Sequence, residues 1–345
     1  MDLTYIQDVL RGAPSFRLKQ IKEVVYKDLI EDWSQATTLP LNLREELKKI
    51  CPLSINAKTF FSEDRRTIKA LITLKDNLKI ESVLMRYGEP SDPDNLPNGK
   101  EGRNTICVSS QVGCPLGCQF CATGKIGFKR NLEIFEIVEQ VIFFSRHLKK
   151  TKERISNVVF MGMGEPFLNY NNVLGAIRIL NDKEGFNLGI RRFSISTVGI
   201  IEGIKKLSSE KAEINLAISL HAPNDKLRSL IMPINKKYSV GEVLDAVDDY
   251  VKKTHRRVMF EYIMIKDLND SEKEARQLAE IMKNPLFLVN LISYNPTGTF
   301  QPSSQERIKR FKGVLEKEGI RVTQRYRFGR DIKAACGQLA AKDKC

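Results

Sequence analysis

Alternation between short apolar stretches and amphipathic stretches, from residue 105 onward, constrains the fold of this chain more than any other feature. The apolar stretches are "TICVSS", "NVVFMGM", "RFSISTV", "INLAISLH", "VMFEYIMI" and "LFLVNLISY". Helical patterns such as "IFEIVEQVIFFSRHLKK", "NNVLGAIRIL" and "VGEVLDAVDDYVKKT" lie between them. This order predicts an α/β fold with a parallel sheet covered on both faces, either open or curved as a barrel. In such folds, ligand-binding residues lie at the carboxyl ends of the strands.

The first part of the chain has a different pattern. Residues 1 to about 50 contain "SFRLKQIKEVVYKDLI" and "LPLNLREELKKI", whose apolar residues are three and four positions apart. This spacing predicts helices with one buried stripe. The expected stripe consists of Ile21, Val24, Val25 and Leu29.

Residues 55 to 88 change to the short alternating runs of strands, in "KTFFSEDRRTIKALITL" and "LKIESVLMRY". The stretch "GEPSDPDNLPNGKEGRN", at 88–104, is dense in Gly, Pro, Asp and Asn and predicts an exposed loop. We therefore expect an accessory domain with linker strands over residues 1–90. The core domain and its C-terminal extension are expected over residues 91–345.

Composition limits the location and the partners of the chain. No stretch approaches the roughly eighteen consecutive apolar residues of a membrane span, so we expect no membrane partner. The amino-terminal "MDLTYIQDVLRGAP" lacks the charged and apolar regions of a secretory signal. We expect a cytoplasmic protein with reduced thiols, and the odd number of 7 cysteines argues against a disulfide framework.

The stretch "CPLGCQFC" places Cys114, Cys118 and Cys121 in a C-x₃-C-x₂-C motif. A structural zinc site needs four ligands, and none of the 3 histidines of the chain lies in this loop. Zinc would therefore need a distant fourth ligand such as Cys107 or Cys336. A [4Fe–4S] cluster held by three cysteines instead leaves one iron open for a substrate or cosubstrate.

The C-x₃-C-x₂-C motif after the first strand of a βα domain, with Phe120 before its last cysteine, resembles the radical S-adenosylmethionine (SAM) superfamily. The stretches "CVSSQVGCPLGCQFCATG", "FMGMGEPFLNYNNV", "FSISTVGI", "SLHAPND", "SYNP" and "DIKAACGQL" resemble the RlmN/Cfr family of RNA adenine methyltransferases. This resemblance extends over about residues 15–340. It implies a partial (βα)₆ barrel with a small N-terminal helical accessory domain, and a [4Fe–4S] cluster and SAM as cofactors.

The resemblance also implies three catalytic residues. Cys336, in "AACGQL", matches the cysteine that carries the methyl group, and Cys107, in "ICVSS", matches the cysteine that resolves the intermediate by forming a disulfide with it. Release by thiol–disulfide chemistry requires that the two sulfurs meet, although 229 positions separate them in the sequence. Glu81, in "KIESVLM", matches the acceptor of the C2 proton.

Residues at the ends of the predicted strands are the expected SAM ligands. Glu165 is suited to accept hydrogen bonds from the ammonium group of SAM, and Gly164 allows close approach of the backbone. Polar or motif residues also end the other strands, and we expect His221 to contact SAM rather than a metal. The remaining expected SAM ligands are Ser196, Ser219, Leu220, His221 and Asn295.

The net charge of +14 predicts a polyanionic partner, although solvated helix faces would explain it equally well. Candidate RNA-binding patches are "KKTKER" at 149–154, "KKTHRR" at 252–257 and "RYRFGRD" at 325–331. The resemblance implies adenosine in 23S rRNA as substrate, and for some members tRNA. It also implies an electron donor such as flavodoxin or ferredoxin, and we expect a monomer.

Two alternatives stay open at the level of the sequence. Members of the family methylate either C2 or C8 of the same adenosine, and "MGEPFLN" favours C2. The other alternative is a zinc-stabilised RNA-binding protein without catalytic activity.

Overall fold

In the computed structural model, the amino-terminal region packs its helices on the core. The residues described are 6, 9–11, 13–87, 102–298, 300–325 and 328–340. Helix α1 (Phe16–Lys22) continues as a π-helical segment (Glu23–Lys27), and α2 spans Leu41–Ile50. The predicted stripe is buried at Ile21, Val24 and Val25. The helix ends before Leu29, which has a φ of 53° and is only partly buried, because a left-handed residue cannot continue a right-handed helix.

One sheet of ten strands forms the centre of the molecule, in the order β1-β2-β3-β4-β7-β8-β9-β10-β11-β12. In this order, the neighbouring strands from β1 to β4 pair antiparallel. The remaining pairs, from β4 with β7 to β11 with β12, are parallel. The strands of this sheet are β1 Ala57–Phe61, β2 Thr67–Thr73, β3 Lys79–Tyr87, β4 Arg103–Cys107, β7 Asn157–Phe160, β8 Phe193–Thr197, β9 Asn215–Ser219, β10 Val258–Met264, β11 Phe287–Ser293 and β12 Val322–Gln324.

The predicted α/β fold is confirmed, since each of the six apolar stretches overlaps one of the parallel strands β4 and β7 to β11. Strand β12 was not predicted, because "VTQ" is only three residues long and mostly exposed. It adds a further parallel strand beside β11.

Helices connect the parallel strands and cover the sheet. The stretches predicted as helices correspond to α4, α5 and α8, within one or two residues at each end. The helices of this part of the chain are α3 Ala122–Lys125, α4 Ile134–Lys149, α5 Tyr170–Asn181, α6 Ile201–Ser209, α7 Asp225–Ile231, α8 Val240–Thr254, α9 Glu272–Ile281 and α10 Gln305–Lys317. Within the described ranges, no helix is long and apolar enough to cross a membrane.

A small hairpin after β4 carries the three cysteines. Its strands β5 (Gln111–Gly113) and β6 (Phe128–Asn131) pair antiparallel. Gly113 has a φ of 77°, and a Cβ there would lie 1.8 Å from the carbonyl oxygen of Gly127. Only glycine therefore allows the two strands to approach this closely.

The sheet continues across the expected boundary between the accessory and core domains. Strand β3 pairs with β4, and Val83 lies opposite Cys107. Residues 88–101 are outside the described ranges. They include the expected boundary at 90/91 and most of the predicted loop at 88–104. The division of the chain into two domains therefore stays a prediction, although β1 to β3 belong to the same sheet as the core.

Candidate active site

Two adjoining cavities lie at the carboxyl ends of the parallel strands. The cysteine-loop cavity is lined by Cys114, Cys118, Cys121, Gly164, Glu165, Ser196, Ser219 and His221, among others. The cysteine-pair cavity is lined by Val83, Met85, Cys107, Ser293, Asn295 and Phe328, among others. Cys336 and Arg325 line both cavities. The fold thus brings the two cysteines expected to form a disulfide to one place.

The loop of the three cysteines is fixed by its own backbone. Cys114 N donates to Gly127 O across 2.9 Å, and Cys121 N donates to Cys118 O across 3.1 Å. Burial, followed by the charges of the other two thiols, raises the pKa of Cys118. Burial also raises the pKa of Cys114 to about 12. The thiols therefore interact with one another, and as free thiols Cys114 and Cys118 would be neutral.

The donor set fits a [4Fe–4S] cluster better than a single metal ion. In the described part of the chain, no three His, Cys, Asp or Glu side chains converge in a way that could hold one metal ion. Cluster cysteines need not converge on a point, because each of them binds a different iron. The loop supplies three thiols that face a shared cavity beside the buried Phe120. Cys114, Cys118 and Cys121 would hold the cluster and leave one iron for SAM.

Glu165 has a buried carboxylate with both oxygens engaged. Oε1 accepts from Phe167 N at 3.0 Å and Oε2 accepts from Val198 N at 2.9 Å. Burial raises the pKa of Glu165 to about 7, against the effect of these hydrogen bonds. A carboxylate oxygen has more than one lone pair, so this group can still accept from a cationic ligand in the cavity. The neighbouring Gly164 has a φ of 99°, and a Cβ there would lie 2.6 Å from the side chain of Gln111.

Ser196 and Ser219 belong to a polar network that includes a residue not identified from the sequence. Ser196 Oγ donates to Glu261 Oε2 across 2.8 Å and lies 3.3 Å from Ser219 Oγ. The other carboxylate oxygen of Glu261 accepts from Arg325 Nη1 at 3.2 Å. Both hydroxyl groups line the cysteine-loop cavity, as expected for ligand contacts.

His221 is neutral and has one ring nitrogen occupied. Its Nδ1 accepts from Ile263 N at 3.1 Å, and burial lowers the pKa of the ring to about 3. The ring packs edge-on against Phe120, with centroids 4.9 Å apart. Because Nδ1 accepts a hydrogen bond, the proton of the neutral ring lies on Nε2, which can donate to a ligand but is not free to bind a metal. The contact of His221 with SAM stays a prediction. Leu220 is fully buried, and its side chain lines neither cavity. Its carbonyl accepts a hydrogen bond from Arg228 Nε.

Asn295 lies with Cys336 rather than with Glu165. Its Nδ2 donates to Cys336 O across 3.2 Å, and it lines the cysteine-pair cavity. Asn295 does not line the cysteine-loop cavity, where we expect SAM to bind. Its expected contact with SAM would therefore require SAM to extend to the border of the two cavities.

Glu81 is almost fully buried and lines neither cavity. Its Oε1 lies 3.1 Å from Lys69 Nζ, and its Oε2 accepts from Ala340 N at 2.8 Å. The structure therefore places the expected proton acceptor beside the cysteine-pair cavity, with both oxygens held by the protein.

Sequence reasoning missed two charged residues of the site: Glu261, which lines the cysteine-loop cavity, and Arg325, which lines both cavities. Glu261 carried a usable signal, because it is the one charged residue in the otherwise apolar stretch "VMFEYIMI". Arg325 was assigned to a surface patch, whereas its guanidinium contacts Met161 Sδ at 3.3 Å as well as Glu261. The pKa of Arg325 is raised, first by the nearby Cys336 sulfur and then by Glu261.

The expected RNA patches do not lie together. The patches at 149–154 and 252–257 precede β7 and β10, so they lie at the amino ends of the strands, opposite the cavities. The patch at 325–331 follows β12 and so begins at the edge that carries the site. In it, Arg330 is exposed, whereas residues 326 and 327 lie outside the described ranges.

A parallel βα sheet whose carboxyl edge carries a loop of three cysteines is the arrangement typical of radical SAM enzymes. The model of the Radical SAM superfamily matches residues 108–279. A crystal structure of a radical SAM methyltransferase from Sphaerobacter thermophilus superposes with a TM-score of 0.91 and is 42% identical, covering 99% of this chain and 98% of that one.

Two curated relatives are similar over nearly their whole length. The probable dual-specificity RNA methyltransferase RlmN of Dictyoglomus thermophilum is 44% identical over 99% of this chain and 95% of its own. The ribosomal RNA large subunit methyltransferase N of Nitrosopumilus maritimus is 42% identical over 95% of this chain and 93% of its own. The chain belongs to the RlmN family of radical SAM methyltransferases. It is therefore an enzyme with a [4Fe–4S] cluster and SAM as its cofactors.

Proposed function

We propose that the enzyme methylates C2 of an adenosine in 23S rRNA, and also in tRNA, by way of a methyl group carried on Cys336. The observation that carries this proposal is the position of Cys336, which lines the cavity of Glu165 and the cysteine loop as well as the cavity of Cys107. A carrier must reach the methyl donor and the acceptor, and this residue borders both cavities.

In the first half-reaction, the thiolate of Cys336 would attack the methyl carbon of the sulfonium. A carbon–sulfur bond forms at Cys336 while the one to the donor breaks, and both sulfur products are neutral thioethers. Glu165, Ser196 and Ser219 would hold the donor in the cysteine-loop cavity. Arg325, which is partly buried and lines both cavities together with Cys336, would place a positive charge beside the attacking sulfur.

In the second half-reaction, the carbon on the Cys336 sulfur would become bonded to C2 of the base. SAM and the cluster supply the radical chemistry that this carbon–carbon bond requires. Cys107 would then bond its sulfur to that of Cys336, and the bond from Cys336 to the methyl carbon would break. Of the two hydrogens on C2 and on the Cys107 thiol, one would end as a proton on the released methyl carbon and the other would leave as a proton. The electron that remains would return to the cluster. Burial raises the pKa of Cys107 to about 12, while Arg325 opposes this effect, so its thiolate forms best beside the guanidinium.

The substrate must enter from the edge of the sheet that carries the cavities. An adenine inside a stacked helix could not reach Cys336, so we expect the base to be unstacked before it reacts. The exposed Arg330 and Lys333, in the segment that leads to Cys336, are placed to meet phosphates there. A low-potential donor such as flavodoxin or ferredoxin would supply the electrons, and the enzyme would act as a monomer in the cytoplasm.

The experiment compares the anaerobically reconstituted wild type with Cys336→Ala on 23S rRNA. The digested RNA is analysed by chromatography and mass spectrometry against standards of 2-methyladenosine and 8-methyladenosine. We expect 2-methyladenosine from the wild type and none from Cys336→Ala. The matched control Cys51→Ala removes a buried thiol of the amino-terminal region and should keep the activity. Formation of 8-methyladenosine would overturn the assignment to C2, and product from Cys336→Ala would overturn the carrier.

A further inference from the structure

We propose that the buried ion pair of Lys69 and Glu81 is a positioning device that holds the segment 334–340, and with it Cys336, against the cysteine-pair cavity. The consequence for catalysis rests on the proposed role of Cys336 as methyl carrier. The attachment itself does not depend on that role.

The ion pair is formed by two neighbouring strands inside the protein. Leu71 of β2 lies opposite Glu81 of β3, so Lys69, two residues before Leu71, shares a face with Glu81. Lys69 Nζ lies 3.1 Å from Glu81 Oε1, and the two side chains are 3% and 2% exposed. Removal of one partner from a buried ion pair is strongly destabilising, so Lys69 and Glu81 depend on each other at this place.

The second carboxylate oxygen reaches the C-terminal segment. Glu81 Oε2 accepts from the backbone N–H of Ala340 at 2.8 Å. Ala340 follows Cys336 by four positions, and a hydrogen bond to a charged acceptor is about twice as strong as a neutral one. One carboxylate therefore joins β2, through Lys69, to the segment that carries the thiol.

Other contacts hold the same segment from the opposite side of the cavity. Ala122 N donates to Gly337 O at 2.7 Å, and Thr123 Oγ1 donates to Leu339 O at 2.7 Å. Both donors directly follow the last cysteine of the loop. The Glu81 contact thus completes a bridge from the cysteine loop to β3, the strand that pairs with the strand of Cys107.

This geometry makes Glu81 a positioning residue, and it adds Lys69 to the functional residues. If Glu81 only accepted a proton from the base, its contact with a backbone amide four residues after Cys336 would be incidental. If it positions the segment, loss of the amide donor should disturb Cys336 as much as loss of the carboxylate.

The experiment removes the donor, the acceptor and the cation separately. Ala340→Pro deletes the N–H group near the end of the described chain, and Ala340→Ser is the matched control that keeps it. Glu81→Gln and Lys69→Met remove the charges, and Lys69→Arg restores the positive one. Lys22→Met, which breaks the distant ion pair with Asp182, controls for the loss of an ion pair as such.

Three quantities are measured anaerobically on the reconstituted enzyme. They are hydrogen exchange of residues 334–340, the rate of alkylation of Cys336 by iodoacetamide, and the rate at which SAM methylates Cys336, read from the mass of the protein. The first two involve neither RNA nor methyl transfer, so a failure of the proposed function leaves them interpretable.

For Ala340→Pro we expect exchange and alkylation to become about tenfold faster and methylation of Cys336 to become slower, since one charge-assisted hydrogen bond is lost. Glu81→Gln and Lys69→Met should shift all three rates in the same direction, and Lys69→Arg should recover part of the change relative to Lys69→Met. Ala340→Ser and Lys22→Met should stay near the wild type. Exchange and alkylation within twofold of the wild type in Ala340→Pro would overturn the proposal. So would a Glu81→Gln variant that methylates Cys336 normally and fails only with RNA.

Discussion

Arg325 Nη1 lies 3.2 Å from Glu261 Oε1, so an ion pair joins the residue after β12 to the middle of β10, across the intervening β11. The other oxygen of Glu261 accepts from Ser196, which lines the cysteine-loop cavity. The guanidinium lines both cavities together with Cys336. This pair therefore links the groups expected to bind the methyl donor to the thiol expected to receive the methyl group.

Replacement of Arg325 should slow methylation of Cys336. Without the guanidinium the attacking sulfur loses the positive charge beside it and Glu261 loses its partner, and we expect Arg325→Gln to methylate Cys336 about tenfold more slowly. Arg325→Lys keeps the charge and should recover part of the rate. The measurement is the increase in protein mass with time in single-turnover reactions without RNA. A rate for Arg325→Gln equal to that of the wild type would contradict this role.

The ionisation of Glu165 should make stability depend on pH. Burial raises its pKa to about 7 from an unfolded value of 4.5, so between these values the folded state binds a proton that the unfolded state does not. Protonated Glu165 therefore stabilises the folded state relative to the ionised form. This stabilisation is fully present below pH 4.5 and is lost as the pH rises through 7. In urea unfolding of the cluster-free protein, we expect the free energy of unfolding of the wild type to fall by roughly 3 kcal/mol between pH 4.5 and 8, relative to that of Glu165→Gln. Parallel curves for the two proteins would exclude a raised pKa.

A side chain at Gly164 should distort the site. The residue has a φ of 99°, and a Cβ would lie 2.6 Å from Gln111 Cβ. We expect Gly164→Ala to lower the free energy of unfolding by about 2 kcal/mol and to weaken SAM binding. Gly241→Ala is the control, because a Cβ there meets no atom within 4 Å. Urea unfolding and equilibrium binding of SAM measure the two effects, and equal values for both variants would refute the argument.

The fold was largely predictable because the strands of the core are continuous apolar stretches. An apolar strand of this kind must be covered on both faces of the sheet. The amphipathic stretches that follow the strands in the sequence are long enough to form the helices that cover it. The join between β3 and β4 could not be predicted, because strand pairing across a long polar loop leaves no local pattern. Strand β12 was missed for a related reason, since its three residues carry too little periodicity.

The site was predictable where the residue types carry the chemistry. Cys114, Cys118 and Cys121 are identified by their spacing, and the positions of Glu165 and Ser196 at strand ends follow from the fold. Lys69 and Arg325 were not identified. Nothing in "TIKALIT" shows that Lys69 is buried, and nothing in "RYRFGRD" shows that Arg325 is partly buried. Both cations are recognised only when the tertiary structure shows the carboxylate that each of them contacts.

The most direct test of the central claim is the fate of RNA with the Cys107→Ala variant. If Cys336 carries the methyl carbon to the base and Cys107 releases it, this variant should stop with the RNA bonded to Cys336. The reaction is run anaerobically and analysed by denaturing gel and by mass spectrometry of the peptide that contains Cys336. We predict a covalent adduct of that peptide with the target adenosine, absent from the Cys107→Ala/Cys336→Ala double variant. Free methylated RNA released by Cys107→Ala at the rate of the wild type would contradict the account.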